Sequence, residues 1–291
     1  RVQSRRRSCR ADRRRAGVLF RRAAAAGNAE AMGRLCEGGY GVRRKPRRAF
    51  TWYRKAAEAG DGDALAACER LAREHGFQLS ARIRAHLLAR CATTGDPEEA
   101  VNLGVCLFEG SGVQRDRRRA LELYRYGAAL GQSAAWVNIG LMYKQGDVLR
   151  RSWPKALACF RTAARLGKAS ACYQLAQYYE TVAPDRAHFM RWLRLGARRG
   201  HAQSQLELGI LYHNGNGVRR DWKRSALLYR RAADQNHGWA MCLLGLCCRD
   251  GEGVKEDKRT ARWWFERAVK AGLAEKDSET VREARKALAA L

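Results

Sequence analysis

Two glycines two residues apart, then a valine and a crowd of basic residues, recur along this 291-residue chain. The stretch is YHNGNGVRRDWKRSALLYRR at 212–231, and it returns as FEGSGVQRDRRRALELYRY at 108–126, CRDGEGVKEDKRTARWWFER at 248–267 and CEGGYGVRRKPRRAFTWYRK at 36–55. Glycines beside positive charge can cradle phosphate on backbone N–H groups. That reading needs either a strand before a dinucleotide fingerprint or a Gly-Lys-Ser/Thr loop, and the sequence has neither. A cofactor loop is not copied along a chain, whereas a turn copied along a chain builds a repeat protein.

The period follows from a glycine that closes each alanine-rich stretch. The positions are Gly27, Gly60, Gly95, Gly131, Gly167, Gly200, Asn236 and Gly272, at steps of 33, 35, 36, 36, 33, 36 and 36 residues. Glycine and asparagine suit the left-handed backbone that ends a helix. Seven residues earlier stands a large apolar residue (Phe20, Tyr53, Leu88, Tyr124, Phe160, Leu193, Tyr229, Phe265), and four before that a small one (Ala16, Ala49, Ala120, Ala156, Ser225, Ala261). Positions four apart share a helix face, so the small residue admits a neighbouring helix and the large one fills the space beside it. This is the second helix of each unit, helix B. Asp12, Asp116, Asp221 and Asp257, with Ser80 and Ser152, precede it as N-caps. Helix A carries a Leu-Gly signature, in NLGVCLFEG at 102–110 and ELGILYHNG at 207–215 for example. Its Gly104, Gly140, Gly209 and Gly245 imply close approach of helix B.

With only four prolines, the composition favours helix throughout and predicts an all-α fold. The units predict a right-handed α-α superhelix of antiparallel helix pairs. Its organisation is a basic segment at 1–11, about seven and a half repeats at 12–272 beginning with an unpaired helix B at about 13–26, and a capping helix within 273–291. The first residue is Arg1, as expected of a segment of a longer or processed chain. No run approaches the roughly 18 apolar residues of a membrane span. The ten cysteines include no Cys-x-x-Cys pair, and Cys106, Cys172, Cys242, Cys247 and Cys248 fall in the apolar pattern. They read as reduced core thiols of an intracellular compartment: cytoplasm, nucleus or organelle interior.

The pattern Ala-x-x-x-Leu-Gly-x-x-Tyr-x-x-Gly-x-Gly-Val-x-x-Asp, followed by Ala-x-x-Trp-Tyr-x-x-Ala-Ala-x-x-Gly, resembles the Sel1-like repeat, a relative of the tetratricopeptide repeat. Residues 206–233 and 100–131 carry it closely, and the resemblance spans about 11–272. Two units depart from it: 61–95 lacks the Gly-x-Gly-Val turn, and 169–200 replaces it with TVAPD. The resemblance implies an α-solenoid scaffold that binds other proteins, with helix A lining a concave groove. The paired cysteines that staple repeats in some bacterial members are missing here, which argues against the secreted branch.

Chemistry is sparse. The six histidines show no His-x-x-x-His spacing, and neither a nucleophile elbow nor a carboxylate pair stands out, so no catalytic residue, cofactor or metal is expected. Two surfaces remain. On helix A, Asn102, Asn138, Gln174 and Glu207 precede the Leu-Gly position, and Lys144, Glu180, His213 and Arg249 lie two turns later; no core pattern requires them. They are the candidate partner-binding groove for a protein or peptide. The second surface is a basic edge at the start of helix B, comprising Arg43, Arg44, Arg117, Arg118, Arg150, Arg151, Arg219, Arg220 and Arg224 with Trp153 and Trp222 beside them. Positive charge there opposes the helix dipole, so helix stability does not explain it. Together with the net charge of +28, this edge supports an alternative reading, an RNA- or ribosome-associated organellar repeat protein, or attraction to acidic protein surfaces.

Overall fold

The computed structural model describes residues 18–20, 22–23, 27–40, 43–93, 95–275 and 277–291. The expected basic segment 1–11, the Asp12 cap and most of the helix expected at 13–26 lie outside them. Among the described residues every regular element is helical. The elements are α1 (Ala29–Gly38), α2 (Pro46–Glu58), α3 (Gly62–His75), α4 (Ala81–Ala92), α5 (Pro97–Glu109), α6 (Arg117–Ala129), α7 (Ser133–Gln145), α8 (Trp153–Arg165), α9 (Ala169–Thr181), α10 (Arg186–Arg198), α11 (Ala202–Asn214), α12 (Trp222–Asp234), α13 (Gly238–Asp250), α14 (Lys258–Glu275) and α15 (Ser278–Ala289).

The chain forms two compact units. The first runs to Met142 and includes Gly146–Arg150; the second holds Tyr143–Gln145 and Arg151–Leu291. In the first, α1 packs on α2 and α5 on α6; in the second, α9 packs on α10, α11 on α12 and α13 on α14, with α15 against α14. Each pair is an A and a B helix of one repeat, as the period predicts.

One contact recurs inside the pairs. A Cβ added to the helix-A glycine would strike the helix-B aromatic: Gly33 against Tyr53, Gly104 against Tyr124, Gly209 against Tyr229 and Gly245 against Phe265, all at 2.5–2.7 Å. The small residues four before these aromatics, Ala49, Ala120, Ser225 and Ala261, are completely buried.

The caps form where the aspartates predict them. Asp116 accepts from Arg119 N at 3.0 Å, Asp221 from Arg224 N at 2.9 Å and Asp257 from Thr260 N at 3.1 Å, with Ser80 and Ser152 accepting from Ile83 N and Lys155 N. The capping residue's own N–H reaches back to helix A, as in Asp116 N to Leu107 O, Asp221 N to Tyr212 O and Asp257 N to Cys248 O at 2.8–2.9 Å. The TVAPD turn keeps this bond, with Asp185 N donating to Tyr179 O at 2.8 Å, and Asp185 caps α10.

Two places differ from the sequence expectation. Gly272 does not end a helix: α14 continues to Glu275, and Gly272 instead faces Val281 and Thr280 of α15, where a Cβ would stand 2.9 Å from the Val281 side chain. Its hydrogen atom is needed for close approach of the last helix. In the stretch without Gly-x-Gly-Val, α4 packs chiefly on α5 and only slightly on α3. Phe77 in the connecting segment turns onto Phe50 of α2, ring centroids 5.3 Å apart, so the turn packs against the helix before α3 rather than closing the pair of α3 with α4.

The core also holds a carboxyl. Glu99 of α5 is 9% exposed, and burial pushes it up to about 7, opposed by a hydrogen bond from Asn102 and reinforced by the negative charge of Asp96. A native carboxyl that holds its proton more tightly than the unfolded chain does makes stability fall as pH rises, here between about 4.5 and about 7. Glu99→Gln is therefore expected to match the wild type at pH 4 and exceed it at pH 8, by up to about 3 kcal/mol, in chemical denaturation at the two pH values.

Gly215 and Gly217, in the stretch that first suggested phosphate, have φ of 76° and 70°. Gly217 also lies against the Arg186 side chain, which donates to the neighbouring Asn216 carbonyl at 2.6 Å. Valine resists that backbone region, costing more than about 1 kcal/mol per position. The double Gly215→Val, Gly217→Val variant is expected to melt at least about 4 °C lower, with no saturable nucleotide binding by either protein in calorimetry.

Candidate functional site

In the second unit Lys144, Gln174, Glu207 and Arg249, four of the helix-A residues singled out by sequence, are tied into hydrogen bonds. Lys144 Nζ donates to Gln174 Oε1 at 3.2 Å, and burial lowers its pKa from the ordinary lysine value. Glu207 Oε1 accepts from the Tyr173 hydroxyl at 2.6 Å and from Gln203 Nε2 at 3.0 Å. Gln177 Nε2 donates to Tyr173, and His237 Nε2 meets Gln203 Oε1 at 2.8 Å. The network runs from α9 through α11 to the residue before α13. Burial raises the Glu180 carboxyl, with the charge of Glu207 acting in the same direction. Arg249 is held by Asp250 through two bonds of 2.7 and 2.8 Å. In the first unit, Asn102 and Asn138 are half-buried on α5 and α7, Asn102 beside Glu99.

Sequence reasoning missed Tyr173, Gln177, Gln203 and His237. Tyr173 to Glu207 and Gln203 to His237 are both separated by 34 residues, about one repeat, so the first bond joins neighbouring helices A and the second joins a helix A to the residue that caps the next. A search within one helix turn cannot see either. For the same reason it missed a group formed by His213 of α11, Cys247 of α13 and Glu252 of the following turn, one ligand atom of each lying within 4.8 Å of the others.

The basic edge is exposed at Arg43, Arg44, Arg118, Arg150, Arg151, Arg219, Arg220 and Arg224. Some of its charge is compensated: Arg117 pairs with Asp147 at 2.8 Å, and Arg224 with its own cap, Asp221, at 3.3 Å. Its tryptophans are engaged too. Trp153 is half-buried, 5.2 Å from the Tyr178 ring, with Lys144 over its face; Trp222 is exposed but carries the Arg220 guanidinium 5.1 Å from its ring. Each of these tryptophans therefore already meets a cation of the chain. Among the described residues no helix is long and apolar enough to cross a membrane.

The comparisons with known proteins agree with this architecture. A Sel1 repeat protein from Oxalobacter formigenes is 27% identical, aligned over 89% of this chain and 79% of its own, with a TM-score of 0.63. The protective antigen c5321 of uropathogenic Escherichia coli, which displays an SLR fold, is 25% identical over 94% and 70% with a TM-score of 0.51. The immunity protein PA5088 of Pseudomonas aeruginosa shares the fold at 18% identity, 72% and 82% coverage and a TM-score of 0.56. No curated protein sequence matches significantly. The Sel1 repeat model matches residues 7–28, 29–61, 100–132, 134–168, 169–201, 202–237 and 240–273, passing over the stretch in which α3 and α4 pair weakly. With most of its length so matched, the chain belongs to the Sel1 repeat family.

Proposed function

We propose that the helix-A surface of the second unit, built on Gln174 and Glu207, holds a segment of a protein partner, and that the arginine edge steers the partner in without selecting it. Sel1 repeats are generally protein-interaction scaffolds, typically non-catalytic. The observation that carries the finer reading is Glu207. Its carboxylate lies on a face the core does not use, half-buried, and is fixed by donors from Tyr173 and Gln203. An acceptor fixed before binding loses little entropy on meeting a donor, so it can discriminate. The partner segment this suits offers N–H donors to Glu207 and Gln174 and carries acidic residues near Arg219 and Arg220. Those arginines are exposed on a chain of net charge +28, and like charge repeated along an edge supplies attraction at a distance but little selectivity.

A reducing compartment fits the thiols. Cys36, Cys68, Cys106, Cys159, Cys172, Cys242, Cys247 and Cys248 are buried and carry no disulfide. Burial pushes Cys68 and Cys242 up to about 11, leaving little thiolate to oxidise.

The test is kinetic. A partner captured by cross-linking from the encoding organism is identified, purified and measured by surface plasmon resonance against two variants. Arg219→Glu with Arg220→Glu is expected to slow association about 10-fold and flatten its salt dependence while leaving dissociation unchanged. Gln174→Ala with Glu207→Ala is expected to speed dissociation about 10-fold at an unchanged association rate. The reading fails if the edge variant abolishes binding while the helix-A variant is silent. Tight, steeply salt-dependent binding of generic single-stranded RNA would then identify the chain as a basic ridge for nucleic acid.

A further inference from the structure

His213 stands on the last turn of α11, Cys247 on the last turn of α13, and Glu252 between the two glycines that follow α13. His213 Nε2 and Glu252 Oε2 are 3.7 Å apart, and an imidazole nitrogen, the thiol sulfur and a carboxylate oxygen lie within 4.8 Å of one another. In a tetrahedral zinc site, bonds of about 2.0–2.3 Å place neighbouring ligand atoms roughly 3.3–3.7 Å apart. Side-chain rotations that draw the three atoms together by about 1 Å complete three corners of such a site. The fourth faces solvent, since His213 and Glu252 are only half-buried.

The repeat does not supply these three residues together. Aligned on the Leu-Gly signature, Cys247 takes the place of Leu211 in the preceding unit and Glu252 that of Asn216, while the place of His213 is filled by Lys144 and Arg249 in other units. A cysteine also fills the first place at Cys106 and a carboxylate the second at Asp147, but among the described residues histidine, cysteine and carboxylate come together only where these two repeats meet. Hydrogen bonding within the protein does not account for the histidine, because its Nδ1 is buried without a partner. The guanidinium of Arg249, close enough to feel the Glu252 charge, is held by Asp250.

We infer that His213, Cys247 and Glu252 bind a divalent transition-metal ion, zinc being the one that this mixture of nitrogen, sulfur and oxygen ligands suits, and that the ion joins two consecutive repeats. Burial pushes the Cys247 thiol up to about 12, so the thiol enters the reaction protonated. The ion forms a bond to sulfur as the S–H bond breaks, and the proton leaves to solvent. The +2 ion, the carboxylate and the neutral thiol and imidazole become an uncharged centre plus one released proton.

The experiment titrates the full chain with cobalt(II), read by the thiolate-to-metal charge-transfer band, then displaces the cobalt with zinc. The variants are Cys247→Leu and Glu252→Asn, which install what the preceding repeat carries at Leu211 and Asn216 and so keep the turn and core filled, and His213→Gln. The wild type is expected to bind one equivalent with the band present, and to gain thermal stability with zinc. Cys247→Leu should lose the band and the thermal gain, while Glu252→Asn and His213→Gln should weaken binding at least about 10-fold. A wild type without a saturable band, or a band undiminished in folded Cys247→Leu, overturns the assignment.

Discussion

Four of the repeats depend on a missing methyl group. The helix-A glycine leaves the gap into which the ring of Tyr53, Tyr124, Tyr229 or Phe265 packs, and a Cβ there would penetrate the ring. A glycine inside a helix costs about 1 kcal/mol relative to alanine, whereas burying an aromatic side chain contributes about 2–3 kcal/mol. The exchange favours the pair, and it sets the separation of the two helices at a fixed point along both. The caps and turns follow from it, because the helix-B start must reach the carbonyls at the end of helix A, as Asp221 N reaches Tyr212 O.

This explains what could be read from sequence. Glycine, aromatic, small residue and capping aspartate each answer to one local requirement recurring at one spacing, so the order of the elements, their pairing and their caps were legible. Gly272 was misread because glycine has two uses, a left-handed turn and a close approach, and the letter alone does not distinguish them; α15, packed on the far side, decides. The unit at 61–95 keeps its helices but loses the tight pairing of α3 with α4, which fits the absence of its Gly-x-Gly-Val turn.

The candidate site was legible only as positions. Gln174 and Glu207 were identifiable as polar residues the core did not need, but the meeting of Gln174 with Lys144 and of Glu207 with Tyr173 depends on which side chain of the neighbouring repeat lies opposite, whereas Gln203 lies one turn from Glu207 on the same helix. A bond between residues 34 apart leaves no trace in the pattern of either helix. The arginine edge was the reverse case: its charge was plain in the sequence, while the ion pairs of Arg117 and Arg224 and the cations already over Trp153 and Trp222 were not. Positive charge is thus broadly displayed and partly neutralised, while the polar network is narrow and internally fixed.

The uneven spacing of the repeats also has a physical reading. The helices from α5 to α13 are each 13 residues long, and the 33-residue step before Gly200 comes entirely from the turn at 182–185, shorter than the turn at 215–221. That turn keeps the backbone bond from the capping residue to helix A. Near the start, the other 33-residue step has a full-length turn and a shorter first helix, α1, of 10 residues. Chain can therefore be removed at either of two places without disturbing the helix pair, which has Gly33 against Tyr53 in the one repeat and Ala176 and Leu193 at the corresponding positions in the other. Lineages of such a protein are free to gain and lose residues outside that contact while every helix keeps its neighbours, so length and binding surface can drift independently.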